Sequence, residues 1–239
     1  MAITTFLLDL DNTLLGNDMD RFLPPYFVMF ARRFQTLVPN QDVRQLLIDC
    51  VQSVIENQDP TVTNMAAFMA EFTHRLGCPV ETINPILATI YREDYPQLQG
   101  YTSLRPAARE VMQRLFASGC RVVIATQPLF PAVAIEQRLA WAGVAGFPYA
   151  WITTLENSHF SKPDVRYFEE ILANIGSSPE NSWMVGDDPA RDIVPAHQLG
   201  LKTWWITGEV EISGEDPIPL CDESGSLADF LAWLNADRL

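Results

Sequence analysis

"FLLDLDNTLL" (residues 6–15) decides the fold. Ile3, Phe6, Leu7 and Leu8 form a nearly continuous apolar run over residues 3–9, the pattern of a strand covered on both faces. The run ends in two carboxylates, Asp9 and Asp11. At an effective dielectric of about 20, two unit charges roughly 4 Å apart repel by about 4 kcal/mol. A buried strand tip carrying both therefore needs a cation or a proton, and reads as a site rather than as core.

Working outward, residues 15–100 are helical in pattern. Apolar residues recur at steps of three and four in four stripes: Phe27–Leu37 with Pro24 and Pro25 near its start, Val43–Val54, Met65–Phe72 and Ile83–Tyr91. Breaks fall at Pro39-Asn40, Asp59-Pro60 and Gly77. After Gly100 strands and helices alternate. "CRVVIAT" (120–126), "YAWITT" (149–154), "SWMVGDD" (182–188) and "LKTWWIT" (201–207) read as strands. A last helix starts near Ser226, an N-cap with Asp229 in the first turn. Alternation at this spacing predicts a parallel sheet flanked by helices. The expected architecture is α/β, with a core of residues 1–14 and 101–239 and an inserted α-helical cap of residues 15–100.

In such sheets ligands bind beyond the carboxyl ends of the strands. Those ends carry Asp9-Leu10-Asp11, Thr126-Gln127, Ser161-Lys162-Pro163 and Gly186-Asp187-Asp188, with Asp192 following. Hard oxygen donors without His or Cys select Mg²⁺, which takes one or two carboxylates and a substrate phosphate oxygen.

"DLDNT", "IATQ", "SKPD" and "GDDPARD", in this order, resemble the four motifs of the haloacid dehalogenase (HAD) superfamily. "KPDVRYF" adds the family's Lys-Pro with a downstream Phe, here Phe168. The position of the helical block, between the first and second motifs, resembles the type with a helical cap. The resemblance implies a Rossmann-like core and a phosphoryl-transfer site. Asp9 matches the nucleophile, which forms an aspartyl-phosphate. Asp11 matches the general acid/base, and its backbone carbonyl a metal ligand. Thr126 and Gln127 match the phosphate-binding positions, Gln127 departing from the family's usual Asn. Lys162 matches the lysine that neutralises nucleophile and phosphate. Asp9, Asp11 and Asp187 match the Mg²⁺ ligands. Asp188 is either a partner behind the metal or the cap of the turn ahead of Pro189, and Asp192 orients Lys162.

Three choices among the family's reactions follow. Dehalogenases lack the second aspartate, present here as Asp11. Relatives that cleave phosphonates use a cap lysine, and residues 15–100 contain none. A sugar-phosphate mutase needs cap cations for a second phosphate, for which Arg21, Arg32, Arg33, Arg44, Arg75 and Arg92 are the candidates. The expected function is a Mg²⁺-dependent phosphatase acting on a small phosphorylated metabolite. The alternatives are a phosphomutase and a non-catalytic phosphate-binding protein of the same fold.

Composition sets the partners. The 239 residues carry a formal charge of −14 with Lys162 and Lys202 as the only lysines, which argues against nucleic acid. No apolar run approaches the roughly 18 residues of a membrane span, and a cytoplasmic protein, monomer or homodimer, is expected. Cys50, Cys78, Cys120 and Cys221 form no CxxC pair, and Cys50 and Cys120 read as reduced core residues. Residues 209–223, acidic and without a basic residue, read as a solvated loop. Tyr26, Phe27 and Phe30 read either as bundle core or as a wall facing the site. His159 reads as a loop residue near Lys162, and Trp183, Trp204, Trp205 and Trp233 as core or a dimer contact.

Overall fold

The computed structural model describes residues 4–208 and 220–236. Strand β1 (Thr5–Leu8) is followed by β2 (Leu15–Gly16) and by helices α1 (Met19–Phe34), α2 (Val43–Ile55), α3 (Asn64–Leu76) and α4 (Val80–Thr89). A π-helical turn (Ile90–Asp94) and a 3-10 segment (Tyr95–Tyr101) lead into β3 (Ser103–Leu104), which pairs antiparallel with β2. The remainder alternates through α5 (Ala108–Ala117), β4 (Arg121–Ile124), α6 (Ala132–Trp141), β5 (Trp151–Ile152) and α7 (Val165–Ile175). It continues with β6 (Ser182–Gly186), α8 (Val194–Leu199), β7 (Lys202–Ile206), β8 (Glu223–Gly225) and α9 (Leu227–Asn235).

Among the described residues six strands form one parallel sheet in the order β5-β4-β1-β6-β7-β8. The α/β expectation therefore holds. Successive side chains of β1 leave on opposite faces. Leu7 packs in a buried cluster with Tyr167, Phe168 and Ile171 of α7. Phe6 and Leu8 belong to a second cluster with Val111 and Leu115 of α5 and Phe230 of α9. Both faces are covered, which is why the strand reads as an unbroken apolar run. The second cluster continues into the inserted helices through Phe22, Phe30 and Phe34 of α1 and Phe72 of α3.

Helix α1 starts at Met19, five residues ahead of Pro24, because Asp18 caps it by accepting from Asp20 N at 2.9 Å. Pro24 and Pro25 cannot donate to the carbonyls of Asp20 and Arg21, two exposed residues in the first turn, where a missing helical bond costs least. Of the acidic segment, residues 209–219 lie outside the described residues, and its last residue, Glu223, starts β8, which pairs with β7. Ser226 and Asp229 form a reciprocal capping box at α9. Trp183 and Trp204 are core, and the half-buried Trp233 packs on them, its ring centroid 4.9 Å from Trp183 and 5.6 Å from Trp204. Cys50 and Cys120 are buried free thiols.

The inserted helices are fastened to the sheet's loops. At the start of α3 the backbone N–H groups of Asn64 and Met65 donate to Ser158 O (2.8 Å) and Leu155 O (2.7 Å). The buried Asn64 carboxamide donates to Pro128 O and Phe160 O, each at 3.3 Å. No helix among the described residues is long and apolar enough to cross a membrane.

Candidate active site

The ladder of β1 runs one residue past its end. Ala125 N donates to Leu8 O (2.8 Å) and Asp9 N to Val185 O (2.9 Å), so Asp9 is held between the tips of β4 and β6. The chain then turns back, with Leu14 N and Leu15 N both donating to Leu10 O at 2.9 Å. Asn12 takes the left-handed conformation this turn requires (φ +60°), which Asn adopts more readily than other side chains.

Asp9, Asp11, Thr126, Gln127, Lys162, Asp187, Asp188 and Asp192 all line one recess of about 260 Å³. At its floor Lys162 Nζ donates to Asp9 Oδ1 at 2.7 Å and to Asp192 Oδ1 at 2.6 Å. The lysine is 2% exposed, so these bonds form away from water. Burial alone would lower the Lys162 pKa, but Asp192 and Asp9 outweigh it and hold the ammonium charged. Burial raises Asp9 well above the usual carboxylate range, with Lys162 opposing and Asp192 and Asp187 adding to the rise. Asp187 is pushed up to about 7, chiefly by burial and then by Asp192.

The other motif residues act on this floor. The Gln127 amide clamps the lysine's backbone in both directions: Lys162 N donates to its Oε1 and its Nε2 donates to Lys162 O, each at 3.1 Å. The side chain expected to meet phosphate is thus engaged in holding the Lys162 loop. The Thr126 carbonyl accepts from Thr153 Oγ1 and Tyr167 OH, both at 2.8 Å, which fixes the end of β4. Asp188 takes the capping alternative, accepting from Ala190 N (2.9 Å) and Arg191 N (3.0 Å). Asp192 Oδ2 accepts from Asp188 N at 3.2 Å while its other oxygen holds the lysine. His159 turns to Glu170, with Nδ1 2.6 Å from Oε1, and does not line the recess.

Arg138 and Trp205 were not legible in the sequence as partners of the site. Asp11 Oδ2 meets Arg138 Nη1 at 2.5 Å, and Asp11 Oδ1 accepts from Asn17 Nδ2 at 2.7 Å. Arg138 is 1% exposed, with Nε donating to Tyr95 OH (2.7 Å) and the guanidinium 3.9 Å from the centre of the Phe130 ring. The available signal was its register: Arg138 shares the apolar face of α6 with Ala134, Ile135 and Leu139, where a charge requires a buried partner. The second is Trp205, whose Nε1 donates to Asp187 O at 3.0 Å and steadies that loop.

Carboxylate oxygens of Asp9, Asp187 and Asp192 lie within 4.8 Å of one another. Two buried carboxylates and the half-buried Asp187 share one ammonium, so the cluster carries an excess of negative charge whenever all three are ionised. Burial pushes Asp9 and Asp187 toward holding protons, which a divalent cation would displace. An all-oxygen donor set suits Mg²⁺. Asp192 has both oxygens engaged, by Lys162 Nζ and Asp188 N, whereas Lys162 holds only Oδ1 of Asp9, so Asp9 and Asp187 are the side chains open to it.

A family model described as a haloacid dehalogenase-like hydrolase matches residues 3–200. Among curated proteins, pyrophosphatase PpaX of Anoxybacillus flavithermus is 21% identical over 97% of this chain and 98% of its own. Two further matches are short. Glyceraldehyde 3-phosphate phosphatase of Methanothermobacter thermautotrophicus is 33% identical over 28% of this chain, and phosphoserine phosphatase of Thermus thermophilus 30% identical over 34%. In these two the match spans about a third of the relative's length, 30% and 32%. The fold matches a HAD phosphatase from Thermococcus onnurineus (TM-score 0.63, 16% identity, 99% of this chain and 100% of that one). It also matches 2-haloacid dehalogenase from Pseudomonas syringae pv. tomato (0.65, 18%, with the same coverage). With its motif residues gathered at one sheet edge and the family match running through most of its length, the chain belongs to the haloacid dehalogenase-like hydrolases.

Proposed function

We propose that the protein is a Mg²⁺-dependent phosphatase that hydrolyses small-molecule phosphate esters through an aspartyl-phosphate. The observation that carries this reading is the Asp9 carboxylate, held 2.7 Å from a buried lysine with Asp187 beside it. Asp9 attacks phosphorus: the new bond is Asp9 Oδ–P, and the bond broken is that between phosphorus and the ester oxygen. Asp11, once it has left its ion pair with Arg138 and taken up a proton, gives that proton to the departing alkoxide. Water then attacks the phosphorus of the aspartyl-phosphate, Asp11 takes a proton from it, and inorganic phosphate leaves with Asp9 restored. Lys162 offsets the charge gathering on Asp9 and the phosphoryl oxygens. Gln127 and Asp192 fix the lysine from its backbone and its tip. Mg²⁺, bound by Asp9, Asp187 and the Asp11 carbonyl, supplies further neutralisation of the phosphoryl group.

Residues 15–100 act as the cap over a core of 1–14 and 101–239. The cap arginines support hydrolysis over mutase chemistry. Arg33 is bound by Asp94, Arg75 by Asp49 and Glu71, and Arg92 by Glu93. None of the six lines the phosphate recess, and Arg92, which lines the adjoining space, is paired with Glu93. A screen of phosphate esters with and without Mg²⁺ tests the proposal. Turnover that requires Mg²⁺ and vanishes in Asp9→Asn is expected, and turnover equal in wild type and Asp9→Asn on every ester would overturn it.

A further inference from the structure

A chamber of about 850 Å³ opens off the phosphate recess between the inserted helices and the core loops. Asp11, Met19, Asp20, Gln127 and Arg191 line both spaces, so the two are continuous. Asp11, the proton donor to the leaving oxygen in the proposed reaction, stands at the junction. The organic group attached to that oxygen must therefore lie in the chamber.

The chamber's walls are aromatic, aliphatic and thioether: Tyr26, Phe30, Phe68, Met69 and Leu87 from the helices face Phe130 from the core. Polar lining falls at its two ends. One is the junction already described, and the other is an exposed rim with Gln52, Asn84 and Arg92. Between them the hydroxyls of Tyr26 and Tyr91 bond each other at 3.0 Å. The two arginines of the lining are paired, Arg92 with Glu93 and Arg191 with Asp188. A carboxylate or a set of sugar hydroxyls placed here would surrender water without gaining matching partners. A volume of this size takes a ligand far larger than a two- or three-carbon metabolite.

We propose that the substrate is a phosphate monoester with a large apolar alkyl or aryl group, bound in this chamber with its phosphate on Asp9 and Lys162. This rests on the phosphatase reading and gives it a substrate class. Methionines on the wall (Met65 and Met69) adapt to irregular apolar shapes, which suits a chain or a ring system rather than one rigid outline.

The test uses two series on the full-length protein with Mg²⁺. In the first, kcat/KM is measured for n-alkyl phosphates from ethyl to octyl, for naphthyl phosphate and for phosphoglycolate and glucose 6-phosphate, with acetyl phosphate as a small reactive control. Each buried methylene is expected to raise kcat/KM about fourfold. In the second, calorimetry gives Kd for n-alkylphosphonates of the same lengths, with an increasingly negative heat-capacity change expected along the series. Leu87→Lys is expected to flatten both slopes. A Kd and a kcat/KM independent of chain length, or a preference for phosphoglycolate or glucose 6-phosphate, would overturn the inference and leave the phosphatase reading standing. No turnover of any ester, acetyl phosphate included, alongside chain-length-dependent phosphonate binding would overturn the phosphatase reading and support the apolar site.

Discussion

Arg138 and Asp11 form an ion pair whose two ends are unequally buried: the Arg138 side chain is 1% exposed and the Asp11 side chain 15%. The inequality predicts which deletion hurts more. Asp11→Ala strands a guanidinium in the core with only Tyr95 and aromatic rings around it, and should cost about 3–5 kcal/mol. Arg138→Met leaves a carboxylate that can turn to water, and should cost about 1–3 kcal/mol. Urea denaturation of the two single variants and the double variant measures both, and the double variant should recover part of the Asp11→Ala loss. Equal costs would mean that Arg138 finds another partner.

Gly186 ends β6 directly against Asp192, and a Cβ there would meet the Asp192 carboxylate well inside van der Waals contact. Gly186→Ala should cost about 1–3 kcal/mol through overpacking. It should also lower kcat by tenfold or more, because the displaced carboxylate no longer holds Lys162 Nζ. A variant with unchanged kcat would show that the lysine is positioned by Asp9 and Gln127 alone.

Asp187 gives a pH dependence with a defined sign. Its value of about 7 exceeds the ordinary carboxylate range because of burial and Asp192. In the metal-free protein the folded state therefore holds this proton more tightly than the unfolded state does. The metal-free fold should lose stability as pH rises from about 4 toward 7, and Mg²⁺ should return it. Conversely, apparent Mg²⁺ affinity should fall as pH drops below about 7, with proton release on binding. Calorimetry in two buffers of different ionisation enthalpy counts that proton, and pH-independent binding would contradict it.

Gln127 offers a test of backbone control. Gln127→Leu removes both of its bonds to the Lys162 backbone while keeping side-chain bulk. The expected result is a loss in kcat of about tenfold, in line with about 1.4 kcal/mol of misplaced lysine, with stability lowered by about 1–2 kcal/mol. Unchanged kinetics would assign the loop's position to the neighbouring chain instead.

What the sequence made legible was local or periodic. Asp9, Asp11 and Asp187 stand just past strand tips, and a buried strand announces its tip by the change from apolar run to carboxylate; Lys162 lies in the loop between β5 and α7. Ser226 and Asp229 signal a helix start three residues apart, and the structure closes that box. The start of α1 was harder, because Pro24 and Pro25 suggest a helix beginning there while Asp18, farther back, supplies the cap. The strands β2, β3 and β8 are two or three residues long, too short to carry a period. Arg138 with Asp11 and Trp205 with Asp187 are pairings across 127 and 18 residues, set by packing rather than by spacing. The apolar chamber belongs to the same class: Tyr26 and Phe30 are both core and wall, so the two readings of those aromatics meet in one surface.

Asn64 fastens the first turn of α3 to the carbonyls of Pro128 and Phe160 from the inside. Prising the two halves apart would exchange those bonds for bonds to water at about 0.5–1.5 kcal/mol each, which weights the balance toward the closed form. In that form the chamber's exposed lining residues, Ile48, Gln52 and Val133 among them, are the lip where it meets solvent. Residues at that lip set the pace of arrival and departure without touching the reacting atoms. An alcohol with a long tail should be slow to leave by the way it came.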